Sequence, residues 1–453
     1  MSKLIFLLVG GDFLMAVLVY SLGLFLQFRI LPKWGIELIS WGPKLGFFAL
    51  LLVLTSHVVE LYSMDRVFSR KAILLRIGCS LLLAFVVLWV VYRLASPVSL
   101  SLGAVIIALM IFGAVQFFWH DFYPLLLRTR GVAKKILILG VGPLAEKIGG
   151  VLKNTTHNYV LAGFVQPPGE TATVPTGAIV APVDQLFETA VREKVRTIVI
   201  SLSEHRGVLP VNDLLKCKFN GIEIVDAATF HEETTGKLLI NHTNPGWFIF
   251  GNGFHDSLRW RWFKRSFDLV LASVGLLLTL PLWPLIALVI KLDSPGEIFF
   301  RQTRVGEKGR LFQLYKFRTM RKDAEAATGA VWAQANDTRI TRVGRFLRKT
   351  RLDEIPQLYN VLRGDMAFVG PRPERPEFVQ QLEEQVPYYA RRHAVKPGVT
   401  GWAQVRFPYG ASVEDALEKL KYDLYYIKNH SLTFDFLIVL ETVKVVLFGK
   451  GGR

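Results

Sequence analysis

Two carboxylates stand side by side at Asp353-Glu354, inside the run Lys349-Thr350-Arg351-Leu352-Asp353-Glu354-Ile355-Pro356-Gln357-Leu358-Tyr359-Asn360-Val361-Leu362. Apolar residues at 352, 355, 358 and 362 mark one helix face, and Pro356 fits only a first turn, so the spacing predicts a helix beginning near Asp353. Acids placed there meet free backbone N–H groups and the positive end of the helix dipole. An acidic N-cap would explain that window on its own. The surrounding residues turn it toward chemistry: Lys316-Phe317-Arg318-Thr319-Met320 ends an expected strand, and Gly370-Pro371-Arg372-Pro373 is a rigid turn presenting a guanidinium. Lys396-Pro397-Gly398-Val399-Thr400-Gly401-Trp402-Ala403-Gln404 is a further constrained loop. Cations on rigid turns around a carboxylate pair suit phosphate chemistry, because guanidinium binds phosphate in a bidentate way and a carboxylate can hold Mg2+ or attack phosphorus.

The elements that carry this set begin with an apolar stretch at 269–290, free of charged residues and long enough to cross a bilayer. Its flanks argue for a return to the same side. Arg259, Arg261, Lys264 and Arg265 precede it, and Lys291, Arg301 and Arg304 follow, so both ends read as cytoplasmic. Pro281 and Pro284 remove backbone donors near its middle and disfavour a straight helix. A re-entrant hairpin over about 266–291 is expected in preference to a kinked fifth span, with Trp260, Trp262 and Phe263 in the headgroup layer.

Four further apolar stretches, at about 4–28, 45–61, 73–94 and 98–119, have the length of spanning helices. The first is too long for a signal peptide and lacks a small-residue cleavage site. Asp12, Glu60 and Arg76 lie within or at the ends of these runs and read as packing or snorkelling groups. Arg66, Arg70, Lys71 and Arg76 in one loop, with Arg128, Arg130, Lys134 and Lys135 after the fourth stretch, place both chain ends on the cytoplasmic side; Arg29, Lys33 and Lys44 argue mildly the other way.

Between these parts, Lys134-Lys135-Ile136-Leu137-Ile138-Leu139-Gly140-Val141-Gly142-Pro143-Leu144-Ala145 reads as a buried strand and a glycine turn opening a helix. Further strands at 160–165 and 197–202 complete a small doubly wound α/β pattern. Gln166 followed by two prolines stands where a dinucleotide site would place a ribose-binding acid, so the cofactor reading loses its main support and a structural or regulatory role is expected.

Composition agrees with a membrane protein: 51% of residues are hydrophobic, against a net charge of +17. Two cysteines exclude a disulfide scaffold and a cysteine-based zinc site. The charge is unevenly placed. Residues 131–253 are neutral and 352–453 balanced, whereas 254–351 hold 19 basic and 8 acidic residues. A basic block beside an apolar hairpin points to membrane headgroups and a phosphorylated substrate, and away from nucleic acid.

From 262 to the C terminus the sequence resembles the polyprenyl-phosphate glycosyl-1-phosphate transferases, the bacterial sugar transferase family that starts exopolysaccharide and O-antigen synthesis. The resemblance runs through Ser294-Pro295-Gly296, Phe299-Phe300-Arg301-Gln302, 316–320, 352–360, 364–373 and 397–404. The N-terminal part resembles that of the large subclass, and the run Arg372-Pro373-Glu374-Arg375-Pro376-Glu377-Phe378 with the end at 444–453 resembles the exosortase-associated exopolysaccharide members. Glu297 departs from the proline many members carry after Ser-Pro-Gly. The implied fold is a membrane protein of mixed α and α/β class. It has a four-helix transmembrane bundle (1–127), a Rossmann-like α/β domain (128–253), and an α-rich catalytic domain with a re-entrant hairpin (254–453).

The resemblance implies that Asp353 attacks the sugar-proximal phosphate of a UDP-sugar, releasing UMP, before a polyprenyl (undecaprenyl) phosphate takes the phosphosugar. Glu354 would act beside it and ligate Mg2+. Lys316, Arg318 and Arg372 would hold phosphates or the nucleotide, and Asp423 is a further matched position. Expected partners are the UDP-sugar, the polyprenyl phosphate and membrane lipid, with no nucleic acid and a homodimer as the common oligomeric prior. The expected location is the bacterial inner (cytoplasmic) membrane, multi-pass, with the catalytic domain on the cytoplasmic side. The alternative from another class is a non-catalytic, membrane-tethered regulator or scaffold of polysaccharide assembly, in which the two acids merely cap a helix.

Overall fold

The computed structural model describes residues 3–28, 36–59, 61–62, 70–94, 102–129, 134–154, 159–202, 209–240, 253–254, 257–321, 324, 337–407, 410 and 412–447. Glu60, Arg29, Lys33, Arg66, Arg130 and the end at 448–453, all invoked above, lie outside the described residues. The described residues are mostly helical with a five-stranded sheet and two strand pairs, and the chain divides into two compact units, Met1–Val225 and Asp226–Arg453.

In the first unit, helices Lys3–Phe28, Ile36–Val58, Arg70–Leu94 and Leu102–Thr129 share one apolar core. Ala16 and Tyr20, Phe48 and Leu52, Ala84 and Leu88, and Ala108 and Phe112 contribute from the four helices in turn. Apolar side chains also cover the outer faces, including Leu75, Leu82, Met110 and Phe118, as expected of helices surrounded by lipid. Ile73–Val91 and Val105–Phe122 are each long and apolar enough to cross a membrane. Asp12 is fully buried among the helices, where it accepts hydrogen bonds from Tyr62 Oη (2.7 Å) and Gln116 Nε2 (2.6 Å) and lies 3.2 Å from His120 Nε2. The Arg76 guanidinium donates to the Val59 carbonyl.

The same unit holds a five-stranded sheet in the order β3-β2-β1-β4-β5, from β1 (Lys134–Leu139), β2 (Tyr159–Gln166), β3 (Ile179–Pro182), β4 (Thr197–Ile200) and β5 (Glu223–Asp226). The β1–β2, β1–β4 and β2–β3 pairs are parallel. Strand β1 is central, which explains its unbroken burial from Ile136 to Leu139. Gly140 follows at φ +128°, and a Cβ there would stand 2.6 Å from the Ser201 carbonyl oxygen. The Val141 N–H in this glycine turn donates to Glu170 Oε2 at 2.9 Å, so the chain's own carboxylate takes a position that suits a phosphate.

The second unit opens with helix Ala227–Thr235, capped by Asp226, whose side chain accepts from the N–H groups of Ala228 and Thr229. This helix and the residues after it pack with the C-terminal elements. Trp402 Nε1 donates to the Gly236 carbonyl at 2.7 Å, and Lys428 pairs with Glu232 at 2.6 Å.

Helix Leu258–Thr279 leads through a short turn at Leu280–Leu282 into helix Trp283–Asp293. Both halves pack on the same globular body. From the first, Arg265 donates to the carbonyls of Val361 and Leu362 (2.6 and 2.7 Å), Asp268 accepts from the Phe368 N–H (3.0 Å), and Ala272 joins a core with Phe312, Leu314 and Leu358. From the second, Ile286 and Ile290 join Phe317 and Leu347, and Asp293 accepts from the Val343 N–H at 3.1 Å. Between these anchors Leu277, Leu278, Leu280 and Leu285 are exposed, which is the surface a bilayer would cover.

An antiparallel pair, β6 (Phe299–Val305) and β7 (Leu311–Phe317), follows these helices. The two constrained loops meet as a parallel pair, β8 (Ala367–Val369) with β9 (Gly398–Thr400). Helices Val413–Asn429 and Leu432–Leu447 close the unit over a core containing Val369, Trp402, Leu424 and Ile438.

Candidate active site

The acid pair lies in a separate 3-10 turn, Leu352–Glu354, and the α-helix begins only at Gln357. The expected helix start near Asp353 is thus shifted, for a local reason. Pro356 has no N–H to return to Leu352, so the backbone closes short bonds instead, with Glu354 N to Arg351 O, Ile355 N to Leu352 O and Tyr359 N to Pro356 O. Arg351 enters the turn in the left-handed conformation, φ +59°, which is rare for a side chain of this kind and lies beside the pair.

Asp353 and Glu354 are both buried, at 6% and 8% exposure. Glu354 Oε1 is ringed by cations: Lys316 Nζ at 2.9 Å, an Arg372 terminal nitrogen at 3.1 Å and an Arg351 terminal nitrogen at 3.6 Å. Burial pushes the Glu354 carboxyl upward, but Lys316, Arg372 and Arg351 outweigh it and hold the group well below the usual range. Asp353 differs. Burial lifts its carboxyl above the usual range, Lys316 opposes this, and the Glu354 charge adds to it. Burial also lowers Lys316, with Glu354 opposing. Asp353 Oδ1 is buried and has no hydrogen-bond partner among the described residues. Three cations against two carboxylates leave the cluster able to accept further negative charge.

The scaffold explains how Lys316 arrives there. Fully buried Asn360 accepts from the Tyr315 N–H at 3.1 Å and donates to the Gln313 carbonyl at 2.7 Å, locking β7 to helix Gln357–Arg363. Arg372 is held from two sides: it donates to Gln404 Oε1 at 3.1 Å, and its carbonyl accepts from Arg392 at 3.0 Å. Arg392 is itself buried against Asp423, 2.8 Å away.

Four of the six expected site residues therefore converge: Asp353, Glu354, Lys316 and Arg372. Arg318 does not join them. Its guanidinium donates to the carbonyls of Pro295 (3.1 Å) and Ser294 (2.6 Å) and to Ser294 Oγ (3.0 Å), where it closes the C-terminal end of helix Trp283–Asp293. Gly296 at φ +129° makes room for it; a Cβ there would meet the guanidinium at 2.1 Å. Asp423 lies inside the fold on helix Val413–Asn429. It is 2% exposed, burial lifts its carboxyl to about 6 against the pull of Arg392, and it reaches the site only through Arg392 and the Arg372 backbone. Sequence reasoning left Arg351, Gln404, Arg392 and Asn360 without roles. The spacing of Arg351 from Glu354 is the only local signal for any of them.

Fold and site together define a helical domain with a long apolar helical segment, presenting a cation-ringed carboxylate pair. A family model described as "Bacterial sugar transferase" matches residues 259–449. Among curated relatives, an exopolysaccharide production protein, PSS, of Rhizobium leguminosarum bv. phaseoli is 43% identical over 194 residues, covering 42% of this chain and 97% of that protein. The chain belongs to the bacterial sugar transferase family. A UDP-N-acetylgalactosamine-undecaprenyl-phosphate N-acetylgalactosaminephosphotransferase of Aeromonas hydrophila is 42% identical over 240 residues, covering 53% of this chain and 56% of the relative. A UDP-glucose:undecaprenyl-phosphate glucose-1-phosphate transferase of Escherichia coli K12 is 46% identical over 187 residues, covering 40% of each. The chain thus aligns with about half the length of these two relatives.

Proposed function

We propose that this protein transfers a sugar 1-phosphate from a UDP-sugar to a polyprenyl phosphate, releasing UMP, as the first membrane step of exopolysaccharide or O-antigen synthesis. The observation that carries the reading is the unequal pair: Glu354 is neutralised by three cations while Asp353 keeps a buried oxygen without a hydrogen-bond partner. A desolvated carboxylate with a raised pKa is a better nucleophile than one engaged by cations. Named relatives act on UDP-sugars and undecaprenyl phosphate, which supports these substrates here.

In the proposed reaction an Asp353 carboxylate oxygen bonds to the sugar-proximal phosphorus. The bond from that phosphorus to the bridging oxygen breaks, and UMP leaves with the electron pair. An oxygen of the polyprenyl phosphate then attacks the same phosphorus, the acyl-phosphate P–O bond breaks, and the Asp353 carboxylate is restored. Lys316 and Arg372 hold the diphosphate and offset the charge that builds on the leaving phosphate. Asp423 acts as a positioning residue, through Arg392, on the turn that carries Arg372. Arg318 fixes the hairpin exit in place of a phosphate contact.

Mg2+ takes one or two carboxylates together with substrate phosphates, and Glu354 would hold it with the diphosphate once Lys316 and Arg372 pass from its Oε1 to the phosphates. Bound there, the ion would supply charge neutralisation on the diphosphate.

The segment around 266–291 acts as a re-entrant hairpin; its support is that both halves pack on one domain while the apolar bend stays uncovered. Residues 1–127 form a four-span bundle and the stretch from 128 to about 225 a Rossmann-like domain of structural or regulatory role; the catalytic domain takes in the rest, including helix Ala227–Thr235, which packs with its C-terminal elements. That domain lies on the cytoplasmic face of the inner membrane, where a soluble anionic nucleotide sugar and an embedded lipid phosphate can reach one carboxylate. The test is to incubate membranes carrying the protein with a panel of UDP-sugars, polyprenyl phosphate and Mg2+ and to measure UMP. Release with one sugar or a few is expected; no release with any sugar removes the reading.

A further inference from the structure

Beneath the bend of the hairpin lies a cavity of about 300 Å³, lined by Leu280, Trp283 and Ala287 from the hairpin and by Ile298, Phe299 and Phe317 from the adjoining strand pair. Its walls are apolar and aromatic. The Trp283 and Phe317 rings meet edge to face at 5.4 Å, and Phe299 stacks on Phe317 at 5.5 Å. Trp283 Nε1 is buried and has no hydrogen-bond partner among the described residues. The cavity is an open groove, and since roughly 150 Å³ holds a benzene-sized molecule, its volume has room for about two five-carbon units.

One apolar layer joins the cavity to the acid pair. Trp283, Ile298 and Phe299 pack against the cluster of Ile286, Ile290, Phe317 and Leu347, and so do Leu352 and Ile355. Leu352 and Ile355 bracket Asp353 and Glu354 in the 3-10 turn. Phe317 also follows directly on Lys316, whose ammonium contacts Glu354. A ligand in the cavity therefore shares walls with the residues on which the charged site stands.

We propose that this cavity receives the first isoprene units of the polyprenyl phosphate acceptor. The inference rests on the transferase reading above. The acceptor's phosphate is bonded to its first isoprene, so a phosphate reacting at Asp353 brings an apolar, branched, unsaturated chain to the foot of that turn. Flat alkene units match a pocket of three aromatic rings, and the open hairpin bend leaves the rest of the chain a route into the bilayer. A membrane acyl chain lacks the covalent tie to a reacting phosphate.

The test uses the full chain in nanodiscs of phosphatidylethanolamine and phosphatidylglycerol. A polyprenyl phosphate bearing a diazirine on its first isoprene unit is photolysed, and the labelled peptides are identified by mass spectrometry. Label on the segments holding Trp283 and Ala287 or Ile298 and Phe299 is expected, displaced by unlabelled polyprenyl phosphate and not by added phosphatidylglycerol. Ala287→Phe should fill the cavity and raise the acceptor KM roughly tenfold or more, since several buried carbons lose their contact, while the KM for the UDP-sugar stays unchanged. Label elsewhere, displacement by phosphatidylglycerol, or an unchanged acceptor KM in Ala287→Phe overturns the assignment. Should that variant fail to fold, the labelling of the unaltered protein decides. Turnover with label elsewhere removes only the cavity assignment; no turnover with any UDP-sugar removes the transferase reading and this inference with it.

Discussion

Replacing Asp353 by Asn should make the protein more stable while destroying its activity. The wild-type carboxylate is 6% exposed, and Oδ1 has no hydrogen-bond partner among the described residues. Burial lifts its carboxyl above the usual range, so the fold carries this charge at a cost. Asparagine keeps the shape and removes the charge. Relief of about 1–2 kcal/mol is expected from the penalty of a buried polar group left unmet, which corresponds to roughly 2–8 °C in unfolding temperature for a unit of this size. The sign with pH follows from the direction of the shift. The folded carboxyl holds its proton more tightly than the unfolded one, so the variant's advantage is full at neutral pH and vanishes below about pH 4, where both states are protonated. UMP release should fall by at least about 10³-fold, the scale of losing a covalent nucleophile. The assays are thermal unfolding of the full chain in nanodiscs between pH 4 and 8 and UMP release at pH 7.5. A variant that unfolds several degrees lower and still turns over would show that Asp353 merely caps the turn.

Three further predictions concern the residues around it. Lys316→Gln removes the nearest cation from Glu354 and should raise the UDP-sugar KM by roughly tenfold or more in steady-state UMP assays; an unchanged KM would remove Lys316 from the phosphate site. Arg318→Ala should lower the unfolding temperature, because the carbonyls of Ser294 and Pro295 lose their donor, and should leave the UDP-sugar KM within about twofold in the protein that folds. A large KM change with normal stability would return that guanidinium to the substrate. For Asp423, whose carboxyl burial lifts to about 6, the proton is again held more tightly in the folded state, so its contribution to stability is greatest below about pH 4, declines from there to about pH 6 and is flat above. Asp423→Asn should erase that slope in pH-dependent unfolding, and should lower kcat more than it changes the acceptor KM, since Arg392 would no longer be held under the Arg372 turn.

What was legible in the sequence was mainly local. The central strand β1, its glycine turn and strand β7 ending at Phe317 follow from runs whose neighbours in the chain set their conformation. The interruption of the apolar segment near Leu280–Leu282 was legible because Pro281 and Pro284 each remove a backbone donor there. The convergence of Lys316, Glu354 and Arg372 was readable only as a set of residue types, since their approach depends on Asn360 bridging β7 to the following helix and on the β8–β9 pairing. Arg318 was not placed by sequence, because a guanidinium two residues after Lys316 looks identical whether it meets a phosphate or a helix end. Strand β7 ends at Phe317, so strand alternation no longer sets the direction of Arg318, and Gly296 opens a niche that no local pattern reveals. Arg392 and Asp423 are 31 residues apart and meet only through the tertiary packing of the last helices. The helix start was placed too early because the apolar period does not register the lost N–H of Pro356.

The central claim is that Asp353 carries the phosphosugar between donor and acceptor. The most direct measurement is peptide mass spectrometry of the full chain quenched after incubation with the active UDP-sugar and Mg2+ in the absence of polyprenyl phosphate. The account predicts a sugar phosphate on the peptide holding Asp353, one UMP released per adduct, and loss of the adduct when acceptor is added. UMP formation that appears only with acceptor present, with no adduct on that peptide at any time, would contradict it.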